Sequence, residues 1–268
     1  RFNEWYANKI INASLPDIGS YSAPSVFQKD GWWYMISGKY ESGFNGFVYD
    51  YATHTWLENK TINASLLDIS NHLLTPSVFQ KSDGWWYAII GEVDGAFFGY
   101  VYNETAHKWS ENATIIASLT DIGDDYSKPS VFYKDGWLYM IVGENHGTFP
   151  GYVYNDATHT WSQNKTINAS LPDIGFFSAP SVFYKDGWWY LISGLYGGTF
   201  TGFVYNDATD TWSNNKTINA SLPDIGDYST PSVFYKDGWW YMISGEADGG
   251  FNGFVYNNAT HTWTANKT

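Results

Sequence analysis

The sequence predicts an all-β protein, a single five-bladed β-propeller of four-stranded antiparallel blades that spans residues 1–268. Three observations lead to this prediction. A unit of about fifty residues recurs five times, each unit holds four short apolar runs bounded by turn residues, and aromatic residues make up 20% of the chain. Aromatic side chains favour strands and can fill the wedge between neighbouring blades, so the composition agrees with the repeat.

The repeat is marked by a tryptophan that returns every 51 to 53 residues, at Trp5, Trp56, Trp109, Trp161, Trp212 and Trp263. The units run approximately over residues 5–55, 56–108, 109–160, 161–211 and 212–263. The units differ in length only within 68–76 and 121–129 and at Ser82, which lie where turns are expected. Insertions confined to loops are typical of a structural repeat.

Each unit is predicted to form four strands, as the fifth copy illustrates. The run PSVFYK (231–236) ends at an Asp-Gly pair, a strong hairpin signal, and WWYMIS (239–244) is apolar on both alternating faces, as in a strand buried on both sides. A glycine-rich loop leads to FNGFVYN (251–257), and an Asn-Ala-Thr turn leads to HTWTANK (261–267). No run has the 3.6-residue period of a helix, so the unit is predicted to be an antiparallel meander.

The fourth strand occurs once more than the other three. Residues 1–9 (RFNEWYANK) align with 261–267 (HTWTANK), so both chain ends carry the outermost strand and either could complete the last blade. The surplus copy could lie unpaired, add a fifth strand or reflect excision from a longer array. It could also pair with a neighbouring subunit, because an open strand edge is a template for head-to-tail assembly.

The charge balance and composition exclude several classes of protein. The chain holds 27 acidic and 14 basic residues, a net charge of −13, and no cysteine. Such an acidic chain lacks the basic surface that nucleic acids require, and no apolar run reaches the length of a membrane span. We therefore predict neither nucleic-acid binding nor membrane insertion, and no disulfide or thiolate metal site.

Asparagine sequons indicate an extracellular or cell-surface protein that carries N-linked glycans. The alternative is that Asn, Ser and Thr are common in this chain and the repeat copies them. The candidate sites are Asn12, Asn59, Asn63, Asn103, Asn112, Asn164, Asn168, Asn215, Asn219, Asn258 and Asn266.

One face of the predicted propeller gathers acidic and aromatic residues, because the loop between strands two and three opens on the same side as the blade-to-blade connector. The connectors contribute Asp17, Asp68, Asp121, Asp173 and Asp224, and the loops contribute Glu92, Glu144, Glu246, Tyr40 and Tyr196. These residues are the predicted sugar-binding site. The alternative for the aspartates is an Asx turn that starts the next blade. Nearby rings that could stack on a sugar or pack between blades are Phe44, Phe97, Phe149, Phe200 and Phe251.

No cofactor is predicted. Calcium could use the same carboxylate oxygens, but the chain has no dense Asp-x-Asp-x-Asp run of the kind that binds it.

The repeat resembles known propeller units. DGWWYMISGE followed by VYNNATHTW is similar to a kelch unit, and the arrangement is similar to repeat proteins of archaeal cell envelopes. It departs from kelch in keeping only the first glycine of the double glycine and in its INASLPDIG connector. PSVFYKDGWWYL also resembles the blade opening of five-bladed glycosidases of the arabinanase type. The resemblance implies a catalytic Asp at the start of a blade, just before the proline of the first strand. At the five matching positions this chain has Ala23, Thr75, Lys128, Ala179 and Thr230.

Because none of these five residues is a carboxylate, we expect a protein without catalytic residues rather than an enzyme. The predicted function is a glycosylated structural or adhesive cell-surface component that self-assembles through its surplus strand, with itself or cell-envelope components as partners. The alternative is a multivalent carbohydrate-binding module that binds glycans, and a more remote one is a five-bladed glycosidase.

Overall fold

The computed structural model describes residues 11, 14–40, 43–66, 73–119 and 126–266. These residues form five four-stranded sheets, each a meander whose strands follow one another in chain order. All strand pairs are antiparallel, and the five innermost strands contact one another around a common axis. The predicted five-bladed propeller is therefore confirmed. No helix in the described ranges is long and apolar enough to cross a membrane.

The strand bounds match the predicted runs to within a few residues. Blade 1 holds β1 (Ala23–Lys29), β2 (Trp32–Gly38), β3 (Phe44–Asp50) and β4 (Thr55–Glu58). Blade 2 holds β5 (Thr75–Gln80), β6 (Trp86–Gly91), β7 (Phe97–Asn103) and β8 (Lys108–Glu111), followed by a 3-10 turn at Ala113–Ile116. Blade 3 holds β9 (Lys128–Lys134), β10 (Trp137–Gly143), β11 (Gly151–Asn155) and β12 (Thr160–Gln163). Blade 4 holds β13 (Ala179–Lys185), β14 (Trp188–Gly194), β15 (Phe200–Asn206) and β16 (Thr211–Asn214). Blade 5 holds β17 (Thr230–Lys236), β18 (Trp239–Gly245), β19 (Phe251–Asn257) and β20 (Thr262–Ala265).

The hydrophobic core lies between the blades rather than at the centre of the molecule. Each of five apolar clusters joins side chains of two adjacent blades. Between blades 1 and 2, for example, Phe27 and Ile36 pack with Ile90 and Trp109. Each buried side chain of this size contributes about 1.5–3 kcal/mol, so every blade is stabilised chiefly by its neighbours.

The tryptophan that marks the repeat joins each outer strand to the connector that precedes its blade. Its side chain is almost fully buried, and its indole N–H donates to the carbonyl of an isoleucine in that connector. The bond measures 2.5–2.7 Å in the pairs Trp56–Ile11, Trp109–Ile62, Trp161–Ile115, Trp212–Ile167 and Trp263–Ile218. A residue with both a large apolar ring and one donor fits this position, which explains its regular spacing.

A closed circle of hydrogen bonds joins the innermost strands around the axis. The hydroxyl oxygen of one serine in each strand accepts the backbone N–H of a valine in the next blade at 3.0–3.1 Å. The serines are Ser25, Ser77, Ser130, Ser181 and Ser232, and each blade both gives and receives one bond. The inner strand edges, which have no further strand to pair with, are satisfied in this way.

A second circle involves the lysine that ends each inner strand. Each ammonium group lies over a tyrosine ring of the following blade, as Lys81 does over Tyr154 at 5.7 Å, and the last such pair joins blade 5 to blade 1. Lys81 also pairs with Asp83 of its own hairpin and with Asp156 of the next blade. The cations therefore connect adjacent blades at the end of the channel opposite the connectors.

The C-terminal strand completes the last blade. β20 pairs with β19, and the side-chain oxygen of Asn266 accepts the N–H of Ile11 at 2.5 Å. Asn59, which follows β4, makes the same bond to Ile62 of the next connector at 3.0 Å. At the closure, Asn266 therefore supplies the contact that residues close in sequence make between blades 1 and 2. The surplus strand predicted at residues 1–9 lies outside the described residues.

Candidate functional site

We define the upper face of the propeller as the ends of the connectors and of the loops between strands two and three. On this face the connectors contact the loops through backbone hydrogen bonds. Backbone bonds join Ile18 to Gly249, Ile174 to Gly147 and Ile225 to Gly198, at 3.2–3.4 Å. Among the described residues, these bonds bring the connector segments of Asp17, Asp173 and Asp224 next to loops between strands two and three.

The predicted connector aspartates hold turns. The side-chain oxygens of Asp17, Asp173 and Asp224 accept the N–H of the glycine two residues later at 2.8–3.1 Å. Asp68 and Asp121 lie outside the described residues. This geometry is that of an Asx turn, which the sequence left open beside the sugar-binding interpretation.

The three predicted loop glutamates have different surroundings. Glu92 is buried, Glu144 is half-buried and accepts the hydroxyl of Thr148, and Glu246 accepts the side-chain amide of Asn252 at 3.0 Å. The environment of these carboxylates thus varies from blade to blade, although their positions in the repeat are the same.

A cleft of about 290 Å³ opens in blade 3 and is lined by two of the predicted carboxylates, Glu144 and Asp173, together with Thr148, Phe149, Pro150, Asn168 and Leu171. Pro150 occurs in this blade alone, where the others have Asn45, Phe98, Thr201 and Asn252. Proline has no N–H to give to the sheet, and β11 accordingly begins at Gly151, whereas the third strands of the other blades have seven residues.

Asn168 adds an uncommitted acceptor to the blade-3 cleft. Its side-chain nitrogen donates to the carbonyl of Phe149 at 2.7 Å, and its side-chain oxygen is buried without a hydrogen-bond partner. The same buried oxygen without a partner occurs at Asn63 and Asn219, whose side-chain nitrogens donate to Phe44 and Phe200, so this geometry belongs to the repeat.

The upper mouth of the channel is covered by an aromatic cap, which we define as Tyr21, Tyr40, Tyr126, Phe177, Tyr196 and Tyr228. The ring centroids of Tyr228 lie 4.7, 4.5 and 4.9 Å from those of Tyr21, Phe177 and Tyr196. Burial and the neighbouring tyrosines raise the pKa of the Tyr228 hydroxyl. Two predicted site residues belong to the cap, because Tyr40 contacts Tyr21 and Tyr196 contacts Phe177.

Backbone strain accompanies the aromatic cap. Tyr21, Tyr126, Phe177 and Tyr228 all have φ between 59° and 73°, the left-handed region that bulky residues rarely adopt. Such strain clusters at ligand-binding and catalytic sites, where the surrounding structure over-determines it. Tyr40 and Tyr196 remain 38% and 45% exposed, so their rings are open to a ligand.

Beneath the cap lies a small axial cavity of about 80 Å³. It is lined by the first three residues of β1, β5, β9, β13 and β17, and therefore by the five positions that correspond to the arabinanase-type catalytic Asp. Among these described lining residues none is a carboxylate, and the one charged side chain is Lys128. Burial alone lowers the pKa of Lys128 from 10.5 to about 7.

The five predicted phenylalanines serve packing. Phe97, Phe149, Phe200 and Phe251 are buried in the clusters between blades, and Phe44 packs against such a cluster.

Several predicted glycosylation sites use their side chains within the fold. The amide nitrogens of Asn63, Asn168 and Asn219 donate to backbone carbonyls at 2.5–2.7 Å. The amide oxygens of Asn59, Asn112, Asn164, Asn215 and Asn266 accept backbone N–H groups. Asn103 is the exposed last residue of β7, and its amide oxygen accepts the N–H of Ala106 at 2.9 Å. Asn258 is exposed in the turn after β19, and Asn12 is outside the described residues. Glycosylation at these sites stays a prediction.

One surface feature was missed by the sequence interpretation, which assigned the paired tryptophans of the second strand to the space between blades. The second aromatic of the pair packs there, as Trp86 does against Phe27. The residue before it is about half exposed on the lower face, the end of the propeller with the Asp-Gly hairpins, at Trp32, Trp85, Trp137 and Trp188. Successive side chains of a strand point to opposite faces of the sheet, and the second strand begins at the edge of the propeller. The first ring of each pair therefore reaches solvent, whereas the second ring packs between blades.

In blade 3, Trp137 forms a cleft of about 320 Å³ with Tyr154, Asn155 and Asp156. Aromatic rings beside amide and carboxylate groups suit a sugar. Within the described ranges no cluster of three or more His, Asp or Glu side chains is arranged to hold a metal ion, calcium included.

Comparison with known proteins links the fold to carbohydrate-active enzymes. No protein-family model and no curated protein matches the chain. An exo-1,5-α-L-arabinanase from a bovine ruminal metagenomic library has a TM-score of 0.61 at 10% identity, over 92% of this chain and 96% of that one. A GH43_1 enzyme from Xanthomonas citri, complexed with xylose, has a TM-score of 0.64 at 12% identity, over 98% and 94% of the two chains. The GH43B protein of a Bacteroides ovatus xyloglucan locus has a TM-score of 0.60 at 15% identity, over 92% of this chain and 55% of that one.

These comparisons correct the predicted function. The prediction of a structural or adhesive component without catalytic activity is wrong, because the solved structures that share the fold over almost the whole chain are glycoside hydrolases. The five-bladed part of the predicted resemblance is confirmed, whereas kelch and archaeal-envelope repeats gain no support. The expectation of a protein without catalytic residues rested on the five positions before the strand prolines, none of which is a carboxylate. Pro150 and Lys128 make blade 3 different from the other four.

Proposed function

We propose that this propeller is a glycoside hydrolase that acts on a plant-type polysaccharide with pentose or galactose units. The observation that carries the proposal is the blade-3 cleft, which brings Glu144 and Asp173 together beside an apolar wall. Hydrolysis of a glycosidic bond uses two carboxyl groups, one to protonate the leaving oxygen and one to activate water or attack the sugar. The fold shared with xylose- and arabinose-releasing enzymes supports the same substrate class.

The surroundings of the two carboxyl groups suit different roles. Glu144 is half-buried and is held by the Thr148 hydroxyl, which positions it as the proton donor to the leaving group. Asp173 is exposed at the rim, where its Asx turn fixes one oxygen and water can reach the other. We assign Asp173 as the base. The buried oxygen of Asn168 would accept a sugar hydroxyl between them.

The test is release of reducing sugar from arabinan, xylan and galactan, together with cleavage of the matching aryl glycosides. The Glu144→Gln and Asp173→Asn variants should each lose at least about a hundredfold in kcat/KM, since general acid–base catalysis contributes roughly that factor. The repeat supplies matched controls at the equivalent positions of other blades, Glu246→Gln and Asp224→Asn, which should retain the wild-type rate.

Two results would contradict the proposal. One is that the folded wild-type protein cleaves none of these substrates. The other is that all four variants retain equal activity, which would show that the cleft takes no part in catalysis.

A second candidate function is carbohydrate binding without hydrolysis, favoured by the four half-exposed tryptophans of the lower face. Stacking of a sugar on an aromatic ring needs an exposed face, and repetition over four blades would add avidity. A glycan array with wild type and Trp137→Ala separates the two functions. Binding that is lost in this variant, with no hydrolysis by the wild type, favours the binding module.

A further inference from the structure

Lys128 is the uncompensated cation of the axial cavity. Its side chain is 3% exposed, and its ammonium nitrogen has no hydrogen-bond partner. No carboxylate among the described residues lies within ion-pair distance, which contrasts with Lys81 and Lys134, each paired with two aspartates. A buried ammonium group without a partner costs several kcal/mol, so the site is unfavourable as it stands.

The titratable groups that the structure describes on the segments around Lys128 form no ion pair with its ammonium group. Glu92 and Glu144 lie in the loops that follow β6 and β10, and Tyr126 precedes Lys128 by two residues in the aromatic cap. Burial lowers the pKa of Lys128, and no charged group in the described part of the chain contributes to the shift. The remaining groups that line the cavity are alanine, proline, serine and threonine.

The serine circle supplies further donors to the same cavity. Ser25, Ser77, Ser130, Ser181 and Ser232 all line it, and each hydroxyl oxygen accepts a valine N–H from the neighbouring blade. A hydroxyl that accepts one bond still has its own hydrogen to donate. The lining of the cavity thus includes Lys128, its one charged residue, and five serine hydroxyls arranged around the axis.

The size of the cavity restricts what can enter. Pockets for organic ligands measure roughly 300 Å³ or more, whereas the axial cavity measures about 80 Å³. That volume holds a few water-sized groups but no sugar ring. The lining therefore selects a ligand that is small, anionic and able to accept hydrogen bonds from several directions.

We infer that the axial cavity is a binding site for a small inorganic anion of the size of chloride, held by the ammonium group of Lys128 and the hydroxyls of the serine circle. The site is separate from the blade-3 cleft and does not depend on the proposed hydrolysis. An anion beside Lys128 compensates the buried charge and satisfies serine hydroxyls at the same time. At the position equivalent to Lys128, the other blades have threonine or alanine. Replacing Lys128 by either residue should therefore abolish the anion site.

Bromide, which replaces chloride and scatters anomalously, gives a direct test. Crystals of the wild-type protein soaked in bromide should show one anomalous peak on the propeller axis within hydrogen-bond distance of the Lys128 ammonium nitrogen. Crystals of Lys128→Thr, which carries the residue found at Thr75 and Thr230, should show none. Lys128→Met keeps the side-chain length without the charge and should also lack the peak.

Solution measurements extend the test to affinity. Chloride titrated into wild-type protein in a chloride-free buffer should raise the melting temperature in a saturable manner, with a response at least tenfold weaker in Lys128→Met. Above pH 7 the apparent affinity should fall about tenfold per pH unit, because the ammonium form must be present for binding. An axial cavity free of bromide in the wild type, or an equal peak in both variants, would overturn the inference.

Discussion

Replacing Lys128 by threonine should stabilise the protein at neutral and acidic pH. In the unfolded chain this lysine titrates near its ordinary pKa of 10.5, and burial in the fold lowers the pKa to about 7. Between these two values the unfolded state binds the proton and the folded state does not, so the free energy of unfolding rises with pH. Below pH 7 the folded state bears the full cost of the buried charge, about 5 kcal/mol for this pKa change.

The threonine itself has a partner in the fold. At the equivalent positions of blades 2 and 5, the hydroxyls of Thr75 and Thr230 donate to the carbonyls of Ser127 and Ser22, both at 2.7 Å. The same bond to Ser178 is open to a threonine at position 128. Lys128→Met, which keeps the volume, separates the charge effect from that hydrogen bond.

The assay is urea unfolding of wild type and both variants from pH 6 to pH 10, in a buffer without small anions. At pH 6 both variants should exceed the wild type by up to about 5 kcal/mol. The difference should shrink by about 1.4 kcal/mol per pH unit above pH 7. A variant that is less stable than the wild type at pH 6, or a stability difference that does not change with pH, would show that Lys128 carries no buried charge.

Two further predictions concern the contacts that close the ring of blades. Ser77→Ala leaves one valine N–H of the serine circle unpaired and should lower the free energy of unfolding by about 1–3 kcal/mol. The control Ser110→Ala, at an exposed serine, should change the free energy of unfolding by less than about 0.5 kcal/mol. Equal effects of the two substitutions would contradict the role of the circle. Two aspartates raise the pKa of Lys81 despite its burial, so its stabilising effect is complete below about pH 10.4 and is lost as pH rises further. Chemical unfolding between pH 9 and pH 12 should show this loss in wild type and a smaller one in Lys81→Met.

The sequence was sufficient for the fold because each local signal agrees with the others in every copy. The tryptophan spacing gives the number of blades, the Asp-Gly pairs give the first hairpin, and alternation gives the buried second strand. The closure was left open, since residues 1–9 and 261–267 carry the same pattern. The bond between Asn266 and Ile11 shows that the C-terminal strand fills the last blade, and only the three-dimensional structure could show this contact.

The candidate site was only partly predictable. Glu144 and Asp173 were both named from the sequence, but nothing in the repeat distinguished them from the equivalent residues of other blades. The distinguishing feature is Pro150, whose lack of an N–H shortens one strand and accompanies the cleft. Lys128 was recognised as a departure at a catalytic position, yet its burial without a partner depends on how five strands meet at the axis.

A crystal structure of the Glu144→Gln variant with xylotriose or arabinotriose would show whether the blade-3 cleft binds the substrate of a glycoside hydrolase. We expect a sugar ring in the blade-3 cleft, with its glycosidic oxygen within hydrogen-bond distance of residue 144 and a sugar hydroxyl on the side-chain oxygen of Asn168. A sugar bound only against Trp137 on the lower face, or a blade-3 cleft left empty at saturating oligosaccharide, would contradict it.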